Sequence, residues 1–301
     1  MSNTTPTPHG AGVIHDLAYR RYEGARRAPG WRVLVIARYA LITQWRQRGV
    51  RLSLLAALLF AVIAAAAGGV KWGFTSMMEG EAQAAGGALQ ALLAGDGEAA
   101  VWAMRMQFLP SLLLVLQCGA PAISADLNAG AFQFHFSRPV TVPQYLLGRM
   151  LSATGWALLV MLSTLALLCA VRAGVTGRAL PMLWVFAKGL LPVLARVVTL
   201  AAVSLGASSL TRRKGLAQAM FAALVMGTWM TAGILARATR KPWIGAVDIM
   251  GATDKLAEQL VGGERFTGLS AAAPALAALA WSALFLGVAA RRLSRAEVVR
   301  G

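Results

Sequence analysis

The sequence predicts an all-α, polytopic membrane protein with six transmembrane helices, and three observations carry that reading. Of its 301 residues, 57% are apolar and only 14% charged, where a soluble domain carries about 25% charged residues; the mean hydropathy is +0.61. That much apolar surface cannot be hidden inside one globular core, so the remaining solvent is lipid. The chain also holds six apolar runs close to the roughly 20 residues that a spanning helix needs. Finally, the surplus of 29 Lys and Arg over 12 Asp and Glu sits in clusters between those runs. Such clusters are basic loops beside a membrane and not a nucleic-acid footprint.

Residues 1–29 form a polar tail, and a transmembrane domain over residues 30–290 is followed by a second tail at 291–301. About fifty residues, many of them charged, precede the first apolar run, whereas a cleavable signal has a short basic start, so the N-terminus is expected to stay in the cytoplasm. Residues 31–48 read as a helix lying in the cytoplasmic interface. Trp31 and Trp45 would sit at headgroup depth, with Arg32, Arg38, Arg46 and Arg48 on lipid phosphates; a solvated juxtamembrane stretch is the alternative. The spans are placed at about 52–70, 106–125, 150–171, 189–210, 216–236 and 270–290.

Orientation follows from the basic residues beside the spans. Arg20 to Arg51 supply nine arginines ahead of the first span. Arg212, Arg213 and Lys214 lie between the fourth and fifth, and Arg291, Arg292, Arg295 and Arg300 follow the sixth. The first-to-second loop instead carries Glu79, Glu81, Asp96 and Glu98. Both termini are therefore predicted to be cytoplasmic, with Arg237, Arg240 and Lys241 as the exception to the pattern.

The loop between the second and third spans is the most informative segment. Ser124 reads as a helix cap with Asp126 in the first turn. Phe132, Phe134 and Phe136 then follow in close succession. Ser137-Arg138-Pro139 stops the helix, because the residue before proline is pushed out of the α region. Thr141 and Gln144 form a capping box that restarts it, with Pro143 tolerated in the first turn.

These residues resemble the permease subunits of ABC-2-type ATP-binding cassette exporters. The family's cytoplasmic coupling segment carries an acidic residue, a glycine and a serine-arginine-proline-valine run. The third span then opens on tyrosine-leucine-leucine-glycine-basic. Here these positions are Asp126, Gly130, Ser137, Arg138, Pro139, Val140, Tyr145, Leu146, Leu147, Gly148 and Arg149. The resemblance implies that residues 31–48 are an elbow helix and that residues 124–149 couple the pathway to a separate ATPase. It also implies a second permease copy, the same or different, and a location in the bacterial cytoplasmic (inner) membrane. ATP and Mg would be bound by the partner ATPase and no cofactor by this chain, which contains no G-x-x-x-x-G-K-[ST] phosphate loop. Asp126, Gly130, Phe132, His135, Arg138 and Pro139 are the candidate ATPase-coupling residues. Arg138 on lipid phosphate, a solvated His135 and phenylalanines anchored in lipid are the competing readings.

Arg196 is the costly residue of the fourth span. It could meet an anionic substrate in the pathway, or pair with carbonyls loosened by Pro192. Gly119 and Pro121 in the second span, like Gly206 and Ser208 in the fourth, allow bends or close helix approach.

Other functions fit less well. An ion-coupled transporter wants an intramembrane carboxylate, and no acidic residue falls inside a predicted span. An intramembrane enzyme finds neither H-E-x-x-H nor a histidine in a span. Cys118 and Cys169 lie in apolar runs and read as packing, and His9 and His15 lie in the tail, so no metal site is expected. A subunit of the same fold that transmits ATP-driven motion to an envelope machine stays open.

Overall fold

The computed structural model describes residues 30–75, 96–131, 140–262 and 270–298. Among the described residues there are ten α-helices, a short 3₁₀ segment and no strand. The helices are α1 Trp31–Trp45, α2 Arg48–Thr75, α3 Asp96–Met106, α4 Phe108–Cys118, α5 Ala120–Asn128, α6 Val142–Thr176, α7 Ala179–Leu210, α8 Lys214–Thr239, α9 Gly251–Leu260 and α10 Ala272–Val298. The 3₁₀ segment, Pro242–Ala246, leads from α8 towards α9.

Among the described residues, six stretches are long and apolar enough to cross a membrane. They are Arg48–Ala66, Phe108–Asn128 (α4 and α5 together), Val142–Thr176, Ala179–Leu210, Lys214–Thr239 and Ala272–Arg295. The chain is a multi-pass membrane protein. Its outward leucines, such as Leu52, Leu55 and Leu59 on α2 and Leu276 and Leu279 on α10, would make an aggregating patch in water but suit lipid.

Side-chain contacts fix the helix directions. Gln117 on α4 donates to Ser53 of α2 at 2.7 Å, and Gln107 just ahead of α4 donates to the carbonyl of Ala57 at 3.0 Å, so α2 and α4 run oppositely. Gly119 faces Ser204, and the Ile123 amide meets Ser208, so α4–α5 and α7 run the same way. Thr199 meets Ala278 and Ser282, and Gly206 meets Phe285, which sets α10 parallel to α7. The start of α2 and α6 and the end of α5, α7 and α10 therefore share one end of the bundle, here the proximal end. α3 and α9 lie towards the distal end.

α7 is the axis of the bundle, its most apolar stretch 72% buried against 11% for α8. The core divides in two. The larger part joins α2, α3, α4, α6, α7, α8 and α9 through residues such as Leu114, Met161, Leu165, Leu200, Phe221 and Ile249. A smaller proximal core holds Ile123, Tyr145, Leu146, Leu205, Ala289 and Leu293.

Several expectations meet a different local structure. The fourth long helix begins at Ala179, because nothing between there and Gly189 breaks the helix. The second span is two helices with a break at Gly119. Ser124 is not a cap. It lies inside α5, its hydroxyl donating to the carbonyls of Ala120 and Pro121, and Asp126 sits in the last turn and not the first. The capping box of Thr141 and Gln144 is present and starts α6, with the Thr141 amide donating to Gln144 Oε1 at 3.3 Å.

α1 lies along the first turns of α6. Gly148 leaves room for Ile36, Gly155 for Leu41, and Trp45 stacks on Trp156 with ring centroids 5.2 Å apart. A Cβ on Gly148 would come within 2.8 Å of Ile36 Cβ, so small residues let these two helices approach closely.

Candidate functional site

Polar side chains gather at two places, one at each end of the bundle. At the proximal end α5 stops at Asn128 and Gly130 adopts a left-handed φ of 65°. The Ala131 amide then bonds back to the Asp126 carbonyl at 3.0 Å. This is a Schellman ending, whose left-handed position suits glycine. It holds Asp126 in the last turn, facing α6.

The Asp126 carboxylate accepts a hydrogen bond from the Tyr145 hydroxyl at 2.5 Å and pairs with the Arg149 guanidinium. Arg149 also donates through Nε to the Tyr145 oxygen at 3.3 Å and lies 5.5 Å from the Tyr145 ring centroid. Tyr145 and Arg149 are one helical turn apart, so one face of α6 presents both donors. The Asp126 and Arg149 side chains are 15% and 17% exposed. A carboxylate taken this far from water needs such partners. The three side chains clasp α5 to α6 beneath the smaller core.

At the distal end, Arg196 of α7 is the largest fully buried side chain. Its Nη1 donates to the Met104 carbonyl at 2.8 Å, in the last turn of α3 where helical carbonyls lack internal donors. Nε donates to Thr253 Oγ1 at 3.2 Å, and Nη2 pairs with Asp254. All three guanidinium nitrogens are thus occupied within the chain. The carbonyl it uses is on a neighbouring helix, not one loosened by Pro192.

Around this pair α3 and α9 share further charges. Glu258 pairs with Arg105 through Oε1 and accepts from Lys255 at 2.7 Å through Oε2. Burial lowers the Arg105 pKa. Burial, with Arg105 close by, pulls the Lys255 ammonium down to about 8. Asp248 opens α9 by accepting from the amides of Met250 and Gly251 at 2.7 and 2.6 Å; burial nonetheless raises its pKa against those two bonds. Trp281 on α10 donates to the Val247 carbonyl at 2.8 Å and anchors the entry to α9.

Of the residues singled out from sequence, Asp126 and Gly130 lie together at the proximal end, and Arg196 stands apart in the distal half. Phe132, His135, Arg138 and Pro139 lie outside the described residues. Tyr145 and Arg149 carry the family resemblance but do not stand out from sequence as a site; their spacing of four ahead of an apolar helix is the available signal. Asp254 and Glu258 gave none, because a charged loop does not announce that it folds back onto the bundle. Among the described residues no group of three His, Cys, Asp or Glu side chains could hold a metal. No protein-family model matches the chain, and no curated protein matches it.

Proposed function

We propose that this chain is the permease subunit of an ABC exporter, which makes the membrane pathway and is driven by a separate ATPase through residues 124–149. The observation that carries the reading is the clasp. Asp126, Tyr145 and Arg149, together with Gly130 and Gly148, are the positions that resemble the ABC-2 coupling segment, and each has a mechanical role here. Gly130 ends α5, Gly148 admits α1, and the other three tie α5 to α6. A push on the loop between α5 and α6 would reach both helices at once, and a rigid α6 would carry it across the bilayer.

In this reading α1 is the elbow helix at the cytoplasmic surface and both termini are cytoplasmic. The ATPase binds ATP and Mg, a second permease copy supplies the other half of the pathway, and the complex sits in a bacterial inner membrane. Cysteines introduced at Met77 and Lys214 then label from opposite sides of the membrane; labelling from one side refutes the topology. The decisive test is a mild-detergent pull-down of tagged chain from its native membrane, with mass spectrometry of what accompanies it. Recovery of a phosphate-loop ATPase, lost when Arg138 becomes Glu, supports the proposal. Intact complexes without such an ATPase overturn it.

A further inference from the structure

We infer that Gly119 is a hinge at which α5 turns relative to α4, and that Ser208 and Gln44 are the residues that position it. The Gly119 amide still bonds to the Val115 carbonyl at 2.7 Å, and just beyond it the helical ladder is interrupted for identifiable reasons. Pro121 brings no N–H. The Ala122 amide bonds to the Gly119 carbonyl at 3.0 Å, one residue closer than in an α-helix, and so leaves the Cys118 carbonyl without its helical donor. Gln44 of α1 takes that carbonyl through Nε2 at 3.4 Å. On the other side of the break the amides of Ile123 and Ser124 both donate to Ser208 Oγ of α7, at 3.0 and 2.9 Å. A serine normally caps its own helix in this way; here the cap comes from a neighbouring helix.

Close packing explains the glycine. A Cβ at position 119 would lie 2.2 Å from Ser204 Oγ and 3.1 Å from Ser204 Cβ. Ser208 and Ser124 are fully buried, so the two amides have no water to fall back on.

The two sides of the break are fastened at different places. α4 packs into the larger core and is pinned by amide side chains, Gln117 to Ser53 and Gln218 to the Leu116 carbonyl. α5 contributes Ala122 and Ile123 to the smaller core and is clasped to α6 through Asp126. α4 also packs on α6, deeper in the larger core, so a tilt of α6 moves α5, clasped at its proximal end, further than it moves α4. The difference has to be absorbed at Gly119, where side chains rather than a helical ladder carry the hydrogen bonds. The hinge stands on this geometry alone; only its use in transport rests on the proposed function.

The test uses the full chain in lipid nanodiscs, with Cys118 and Cys169 changed to alanine and spin labels placed in pairs. Leu109 and Asn128 span the hinge, about 28 Å apart at 1.5 Å per residue, and Asn128 and Leu159 report on α5 against α6. The distance distribution across the hinge is expected to be the broader of the two. Ser208→Ala broadens it further and leaves the Asn128–Leu159 distribution unchanged, and Ser208→Thr restores it. A serine that merely stabilises the fold would broaden both pairs alike. That outcome, or equal widths in the unmodified chain, overturns the hinge. Gly119→Ala narrows the distribution if Ser204 can yield; where that variant does not fold, Ser208→Ala still decides. Recovery of the ATPase alongside equal widths would sink the hinge and spare the proposed function.

Discussion

Arg196 and Asp254 pair across 58 positions of sequence, and their contact fastens the short helix α9 to the central helix α7. An arginine at such depth is tolerated only with a partner. Removing one member of a buried pair strands the other, at a cost of about 3–5 kcal/mol. Asp254 is 26% exposed, so the lower part of that range is expected for Asp254→Ala, read as thermal unfolding in detergent. The double variant Arg196→Met with Asp254→Leu leaves no stranded charge and is expected to unfold above Asp254→Ala. If the single variant is as stable as the unmodified chain, the pair does not hold α9.

The Asp126–Arg149 clasp predicts coupling between α5 and α6. Either Asp126→Asn or Arg149→Gln removes a charge-assisted contact worth about 1.5–3 kcal/mol. Because the two residues touch, their effects are expected to be non-additive, with an interaction of about 0.5–3 kcal/mol in a double-variant cycle. Hydrogen exchange over Ala120–Asn128 should rise in both single variants. Additive losses would mean that the two residues act separately.

The large features of the fold were legible in the sequence for a simple reason. Spanning helices are fixed by length and apolarity, which are local, so all six spans could be placed, and the Thr141–Gln144 box marks the start of α6. What escaped depends on contacts between distant residues. Gly119 and Pro121 signal a bend or a close helix approach in the sequence, but only the structure shows that Ser204 and Ser208 are what meets them. From sequence Asp126 reads as the first turn of a new helix, whereas it lies in the last turn of α5 at the end of the second span. That its charge is answered by Arg149, and is not free for a partner, needs the third dimension. Arg196 was recognised as costly, and its partner lay in a loop that gave no sign of returning to the bundle.

The seat of α1 on α6 predicts intolerance at Gly148. Its Cβ direction points at Ile36 Cβ and Cγ2, each 2.8 Å away, with the Val33 carbonyl at 3.2 Å. Neither atom of a β-branched side chain can swing far aside. Gly148→Val is therefore expected to overpack the contact at a cost of about 1–3 kcal/mol and to lift α1 from α6. Protease cleavage within Trp31–Trp45 should accelerate, and Ile36→Ala should partly restore resistance. Unchanged cleavage in Gly148→Val would show that α1 is held elsewhere.

The charge cluster between α3 and α9 makes a prediction in pH. Lys255 has a pKa of about 8 in the folded chain against 10.5 for the free side chain. Between those values the unfolded chain binds more protons, so stability rises with pH across that window and is flat in this group below it. Arg105 and Glu258 are charged groups set close to it. At pH 7 about a tenth of Lys255 is neutral, against roughly one part in three thousand for a lysine at 10.5. Lys255 is therefore expected to acylate faster in the folded chain than in the denatured one, measured by peptide mass spectrometry. Arg105→Gln removes the repelling guanidinium and should slow that reaction by raising the Lys255 pKa. A Lys255 labelling profile with its midpoint above pH 10 would refute both the burial and the influence of Arg105.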